Sequence, residues 1–503
     1  MMNDRPDLEI GRVPTGIPGL DAILRGGFLK GGVYIVQGAP GAGKTILANQ
    51  VCFNHVADGE GCAAYVTLLA ESHTRMLQHL RPMAFFDEAA IPDHLYYVSA
   101  FRVLEDEGLK GLVDLIRREI KGHGASLLVL DGLVAAEETA KTDREFKKFI
   151  HEVQSHAAAA DCTILLLTSG RTRLVNAEHT MVDGLLELDD TLYAVRTERT
   201  LQVSKFRGSG FLRGRHSFRI TGDGIRLFPR IEAAFAAPTH RDAVPRTKLS
   251  TGMAGLDRML HGGIPEASTT AVIGASGTGK TTSGLHFLGR SNEAEPGLCF
   301  SFFETPERLR EKADTLGIDL AGLEKRGYVE LLWQAQGENI LDELGHRLID
   351  AVRRRNVRRV FVDGLNGFAE SATHPERISR FFGCMANQLR TLGATTVFTV
   401  EARDFFGTST QMPVEGISAL VENLIFLRFV EMDSRLRRLL SIMKVRDSDH
   451  DAMLREFVIS ERGVEIGETF GDAEAVLTGS ARQPRAAPAA SSSLARTRPR
   501  DTE

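Results

Sequence analysis

The sequence has no uninterrupted apolar run near the ~20 residues a membrane-crossing helix needs, so no membrane association is expected. Its start, Met1 to Arg12, carries Asp4, Asp7 and Glu9 and lacks the basic flank and apolar core of a secretory signal. The expected location is the cytoplasm. Cysteine is scarce: Cys52, Cys62, Cys162, Cys299 and Cys384 form no C-x-x-C pair, which argues against a zinc site or a disulfide framework. A basic excess is missing too, with 61 Lys and Arg against 66 Asp and Glu and a net charge of −5. Proteins that live on duplex DNA usually need such an excess to neutralise phosphates, so nucleic acid is not an expected partner. What remains is an ordinary globular mix, 43% hydrophobic and 25% charged over 503 residues, long enough for two or three domains.

The chain repeats itself. Thr15-Gly-Ile-Pro-Gly-Leu-Asp21 returns as Thr251-Gly-Met-Ala-Gly-Leu-Asp257, and Gly26-Gly27 as Gly262-Gly263. Gly38-Ala-Pro-Gly-Ala-Gly-Lys-Thr45 returns as Gly274-Ala-Ser-Gly-Thr-Gly-Lys-Thr281, all at one offset of 236 residues. Three patterns in one register imply a duplicated unit. Later landmarks keep the order: Leu127–Gly132 with Val360–Gly364, and Lys205-Phe-Arg207 with Lys444-Val-Arg446. Each half alternates short apolar runs (Tyr34–Gln37, Ala64–Leu68, Leu127–Leu130, Thr163–Leu167) with helix-length stretches (Lys44–His55, Leu109–Lys121). That alternation predicts an α/β fold with a largely parallel sheet in each half. The expected divisions are a tail at 1–11, a first domain at 12–235, a linker at 236–247, a second domain at 248–479 and a disordered tail at 480–503, rich in Ala, Pro, Ser and Arg.

Both halves carry G-x-x-x-x-G-K-[ST] between a strand-like and a helix-like run, the context of a working phosphate loop. Glycines let the backbone curl its N–H groups toward phosphate oxygens, and the following helix adds its positive end. The expected nucleotide-binding residues are Gly38, Gly41, Ala42, Gly43, Lys44, Thr45 and Ile46, with Gly274, Ser276, Gly277, Thr278, Gly279, Lys280, Thr281 and Thr282. Lys44 and Lys280 reach for the β- and γ-phosphates; Thr45 and Thr281 offer hydroxyls to Mg²⁺. Asp131 and Asp363 end apolar strands, where a carboxylate helps hold that magnesium, although a strand-end aspartate also caps turns. Hydrolysis further needs a group to orient water. Glu71 and Glu304 follow the second strand of each half and are the candidates; a first-turn glutamate that merely complements a helix dipole fits the residues equally well.

Taken together, the T-G-[IM]-x-G-L-D opening, Gly-Gly, phosphate loop, post-strand carboxylate, strand-end Asp and K-x-R resemble the KaiC family of RecA-like ATPases, over about residues 10–479. The resemblance implies two tandem RecA-like P-loop domains, ATP and Mg²⁺ as ligands, and a double-layered homo-hexamer with ATP between neighbouring subunits. It makes Lys205 and Arg207, and Lys444 and Arg446, fingers that reach the neighbour's γ-phosphate; solvated strand residues are the plainer alternative. Two departures stand out. The family commonly has two adjacent glutamates after the second strand, and here Ala70 and Phe303 replace the first of each. Where the family's clock protein phosphorylates a neighbouring Ser and Thr, this chain has Ser418 followed by Ala419, so a two-site cycle is not available there while single-site autophosphorylation of Ser418 is.

The function expected is a nucleotide-dependent signalling or regulatory ATPase with possible serine autokinase activity and regulatory protein partners. One alternative is a RecA/RadA-like DNA-binding ATPase, prompted by Arg196, Arg199, Arg213, Arg215 and Arg219, and by Arg435, Arg437 and Arg438. Another is an ATP-binding scaffold with little turnover, prompted by the replaced glutamates.

Overall fold

The computed structural model describes residues 11–59, 61–69, 73–169, 181–236, 247–402, 416–432, 435–446, 448–460, 463–469, 474–475 and 481–482. Most of the expected linker, and all of the expected C-terminal tail except the short strand Ala481–Arg482, lie outside these residues. The chain divides into two compact units. One is built on the first repeat and also takes in Gly337–Asp350 and Ser371–Gln388; the other holds the rest of the second repeat.

The first unit contains a nine-stranded sheet. Its strands are β1 (Val33–Gly38), β2 (Cys62–Thr67), β3 (Leu95–Ser99), β4 (Ala125–Asp131), β5 (Thr163–Thr168), β6 (Gly184–Tyr193), β7 (Arg196–Phe206), β8 (Arg215–Thr221) and β9 (Gly224–Phe228). They lie in the order β9-β8-β7-β6-β1-β5-β4-β2-β3. β1 to β6 are mutually parallel, and β6 to β9 form an antiparallel meander. The central strands are continuous apolar runs because both faces are buried. Tyr34, Val36, Tyr65, Val129 and Leu165 enter one core; Val33, Ile35, Val66, Leu128 and Ile164, their neighbours in the pleat, enter the other.

The second repeat rebuilds the same sheet from β10 (Thr269–Gly274), β11 (Gly297–Ser301), β12 (Val329–Trp333), β13 (Arg359–Asp363), β14 (Thr395–Glu401), β15 (Asn423–Met432), β16 (Arg435–Val445), β17 (Arg455–Ser460) and β18 (Gly463–Thr469). The order, β12-β11-β13-β14-β10-β15-β16-β17-β18, matches the first strand for strand. These are two tandem RecA-like α/β domains, as expected. The expected strands are present with ends displaced by one or two residues. The helix expected at Leu109–Lys121 belongs to a longer segment, Phe101–His123, broken at Gly108 where φ is 65°.

The repeated motifs have structural work to do. In the T-G-x-x-G-L-D opening, the Asp21 carboxylate accepts from Thr15 N and Oγ1, both at 2.8 Å, and from Gly16 N at 3.1 Å. Asp257 accepts from Thr251 N and Oγ1 at 2.7 Å in the same way. The aspartate therefore closes the turn that leads into a short helix, Leu20–Ile23 or Ala254–Met259. The Gly-Gly pair is a steric requirement. Gly27 and Gly263 have φ of 108° and 124°, and a Cβ on either would stand 2.2 Å from the carbonyl oxygen of Val13 or Leu249.

Candidate nucleotide sites

The phosphate loops leave the carboxyl ends of β1 and β10, each flanked by two parallel neighbours, the place where open α/β sheets bind ligands. Glycine is forced at their first position, since a Cβ on Gly38 or Gly274 would meet the Leu188 or Leu427 carbonyl oxygen at 2.5 Å. It is forced again at Gly43 and Gly279, which start the helices Lys44–Ala57 and Lys280–Leu288 at φ 102° and 103°. Between them the loop tips Gly41, Ser276 and Gly277 are exposed, while Ala42 and Thr278 are buried. Thr278 Oγ1 donates to Ala275 O at 2.8 Å. Ile46 is half-buried and Thr282 buried just past each loop.

The ammonium of Lys44 donates to the carbonyls of Gly38 at 2.8 Å and Ala39 at 3.1 Å; that of Lys280 donates to Ala275 O at 2.8 Å. Burial lowers the proton affinity of both lysines, and nearby carboxylates partly restore it: Asp131 for Lys44, Glu401 and then Asp363 for Lys280. Thr45 Oγ1 lies 3.5 Å from Asp131 Oδ2, and Thr281 Oγ1 lies 2.9 Å from Asp363 Oδ2. Burial raises the pKa of both aspartates, opposed by the hydrogen bonds they accept. Each site thus gathers a hydroxyl, a carboxylate and an ammonium around curled backbone. Among the described residues no cluster of three His, Cys, Asp or Glu side chains could hold a metal by itself. The threonine hydroxyl and the aspartate carboxylate are hard oxygen donors of the kind that suits Mg²⁺, an ion bound by one or two protein oxygens plus water and substrate phosphates.

The second partner of each aspartate differs. Tyr65 on β2 donates to Asp131 at 2.7 Å. Asp363 instead receives Thr399 Oγ1 from β14 at 2.7 Å. By strand register the counterparts are Cys299 and Leu167, neither of which could make the same bond. Sequence reasoning missed both partners.

The cavities differ as well. The first, about 290 Å³, is lined by Thr45, Thr67, His73, His79 and Asp131 among others. The second, about 300 Å³, is lined by Lys280, Thr281, Phe303, Glu304, Lys312, Asp363, Asn366, Thr399 and Glu401 among others. Glu71 and Ala70 lie outside the described residues. Glu304 is present in its cavity, ion-paired with Lys312 at 2.9 Å. Thr67 pairs with Asp131 as Ser301 pairs with Asp363. On this register Leu69 stands where Phe303 does: Leu69 lies against Gly132 as Phe303 lies against Gly364.

The K-x-R pairs do not approach their own phosphate loops. Lys205 pairs with Leu185, which neighbours Ile35, three residues below Gly38; Lys444 pairs with Leu424 beside Ala271, three below Gly274. That is about 10 Å down the strands, toward the end of the sheet opposite the loops. Burial lowers the Lys205 pKa, and Arg207 Nη1 donates to Met181 O at 3.2 Å. Lys444 donates to the carbonyls of Ser418 and Val421, both at 2.8 Å; Arg446 is exposed. Ser418 itself is exposed on the short helix Ile417–Leu420.

Several arginines that suggested a nucleic-acid groove are engaged elsewhere. Arg199 pairs with Asp190 at 3.3 Å, Arg219 with Glu343 at 2.8 Å and Arg437 with Glu456 at 3.5 Å. Arg196 donates to the carbonyls of Asn339 and Ser371, and Arg438 to that of Gly277. Among the described residues no helix is long and apolar enough to cross a membrane.

Two glycine loops, each with its own threonine and strand-end aspartate on the same sheet order, define a tandem P-loop ATPase. The profile of the family described as "ATPase: KaiC" matches residues 13–232 and again 249–470, and the chain belongs to that family. It is similar to the circadian clock oscillator protein KaiC of Picosynechococcus sp., at 25% identity over 93% of this chain and 92% of the relative. It is similar to that of Parathermosynechococcus lividus at 26%, over 95% and 90%. For that of Acaryochloris marina the figures are 25%, 95% and 92%.

Proposed function

We propose that the chain hydrolyses Mg·ATP at both phosphate loops and that each site is completed by a neighbouring copy in a homo-hexamer. The observation that carries this reading is the separation of each K-x-R pair from its own loop. A lysine and an arginine set back from the loop end of the sheet serve a triphosphate when another subunit presents one. Lys44 and Lys280, with the loop amides, grip the phosphates; Thr45 with Asp131, and Thr281 with Asp363, hold the metal. Magnesium held by these residues would supply positive charge to offset that of the phosphates. Lys205 with Arg207, and Lys444 with Arg446, stabilise charge on the neighbour's transferring phosphoryl group. Glu71 is the carboxylate proposed to orient water at the first site; at the second, Glu304 and Glu401 both line the cavity and are the two candidates. The biological role proposed is a nucleotide-gated regulatory ring.

Ser418 adds a kinase reading for the second domain. Its backbone is held by Lys444, one of the residues proposed to meet the neighbouring γ-phosphate. A phosphoryl group delivered to Lys444 would therefore arrive beside the Ser418 hydroxyl. Mass spectrometry after incubation with ATP tests this, with phosphate on Ser418 expected and its absence ending the idea.

Light scattering with and without Mg·ATP, combined with phosphate release, tests the main reading. A nucleotide-dependent hexamer with turnover that vanishes in the Lys44→Ala, Lys280→Ala double variant is expected. A monomer that turns over ATP at the parent rate would remove the shared-site reading.

A further inference from the structure

The second nucleotide cavity contains a carboxylate that the duplication does not explain. β14 ends at Glu401, which lies in register with Gly274, the first glycine of the phosphate loop. Its backbone N–H donates to Asn366 Oδ1 at 3.4 Å, so the strand end is tied to the helix that follows Asp363. The side chain lines the same cavity as Lys280, Thr281, Glu304, Lys312 and Asp363. In the first repeat β5 runs in register with β1 up to Gln37 and Thr168, which leaves Ser169 opposite Gly38. The first site thus has a hydroxyl where the second has a carboxylate.

The other acidic group of the second cavity is placed differently. Glu304 stands on the β11 side, ion-paired with Lys312 at 2.9 Å, and the residue before it is the apolar Phe303. A carboxylate committed to an ammonium has less freedom to hold a water molecule. Glu401 comes from the opposite flank, beside the lysine expected to contact the γ-phosphate.

We propose that Glu401 is the water-orienting carboxylate of the second site, with Glu304 serving to hold Lys312. This rests on the reading of the second loop as an ATP-hydrolysing site and chooses between its two acidic groups. In the step, the water oxygen bonds to the γ-phosphorus while the bond from that phosphorus to the β,γ-bridging oxygen breaks. ADP leaves with the electron pair of the broken bond. The water's proton passes to the Glu401 carboxylate and returns to solvent before the next turnover. The first site, with Ser169 at this place, depends on a different group, so the two sites of one chain work by unequal means.

The test uses the full-length chain carrying Lys44→Ala, so that remaining turnover reports the second site. Phosphate release gives kcat and KM, and a fluorescent ADP analogue gives affinity. Glu401→Gln should lower kcat at least tenfold with KM and analogue affinity within about twofold, the pattern of a group used in the transition state only. Glu401→Ser, which copies the residue found at this place in the first repeat, should do the same and guards against misfolding of one variant. Glu401→Asp should recover part of the rate. Parent kcat in Glu401→Gln or Glu401→Ser, or a change confined to KM, overturns the assignment. No Lys280-dependent turnover in the Lys44→Ala parent would instead defeat the reading of the second loop as a hydrolytic site.

Discussion

The phenol of Tyr65 donates to Asp131 at 2.7 Å from one neighbouring strand, whereas the hydroxyl of Thr399 donates to Asp363 at the same distance from the other. Each aspartate is aimed at its loop threonine by a donor that the other repeat lacks. Partners of this kind typically matter by 10- to 100-fold in metal affinity. Tyr65→Phe should therefore raise the magnesium needed for first-site turnover by about tenfold or more and leave the second site unchanged. Thr399→Val should do the reverse. Magnesium titrations of phosphate release, with Lys280→Ala or Lys44→Ala silencing the other site, read both; equal effects on the two sites would contradict the separation.

The Gly-Gly pairs give a stability prediction. Gly263→Ala places a methyl 2.2 Å from the Leu249 carbonyl oxygen at a backbone φ of 124°. Alanine at an incompatible positive φ loses more than about 1 kcal/mol even without a backbone clash. Gly263→Ala should destabilise the chain by more than that in denaturant melts, and Gly27→Ala similarly. Gly337→Ala, where a Cβ meets nothing within 4 Å, is the control and should be close to neutral.

His216 predicts a pH dependence. Its Nδ1 accepts from Arg230 N at 3.0 Å and its Nε2 donates to Leu212 O at 3.1 Å, an arrangement for the neutral ring. Burial pushes its pKa down from 6.5 to about 4; the Leu212 bond opposes this, while Arg230 and Arg377 add to it and Glu232 resists it. The folded pKa is depressed, so the unfolded chain takes up a proton between these values that the folded chain refuses. The stability is present above pH 6.5 and drains away as pH falls toward 4. The full loss is on the order of 3 kcal/mol. His216→Gln, compared with the parent by denaturant melts at pH 7.5 and 4.5, should show a smaller drop between the two; an equal drop would mean His216 does not titrate this way.

The duplication, the phosphate loops and the sheet class were legible because each is local: a run of glycines, a strand-length apolar stretch, a motif repeated in register. The partners Tyr65 and Thr399 were not. Tyr65 and Asp131, or Asp363 and Thr399, are far apart in sequence and meet only because of the strand order. Glu401 escaped for the same reason, since its place opposite Gly274 follows from β14 lying next to β10. The pairing of Glu71 with Glu304 rests on residue counting, and Glu71 lies outside the described residues, so only Glu304 has a place in a described cavity.

The handed-over hydrogen bond also limits how the halves can be recombined. A hybrid carrying β11 in place of β2 would exchange Tyr65 for Cys299 while keeping Leu167, leaving a buried carboxylate with only a thiol, a weak donor, on its flanks. One carrying β14 in place of β5 would have two. Shared ancestry has left the halves alike in outline, yet a strand transplanted singly brings the wrong chemistry; the two neighbours of the aspartate have to travel together.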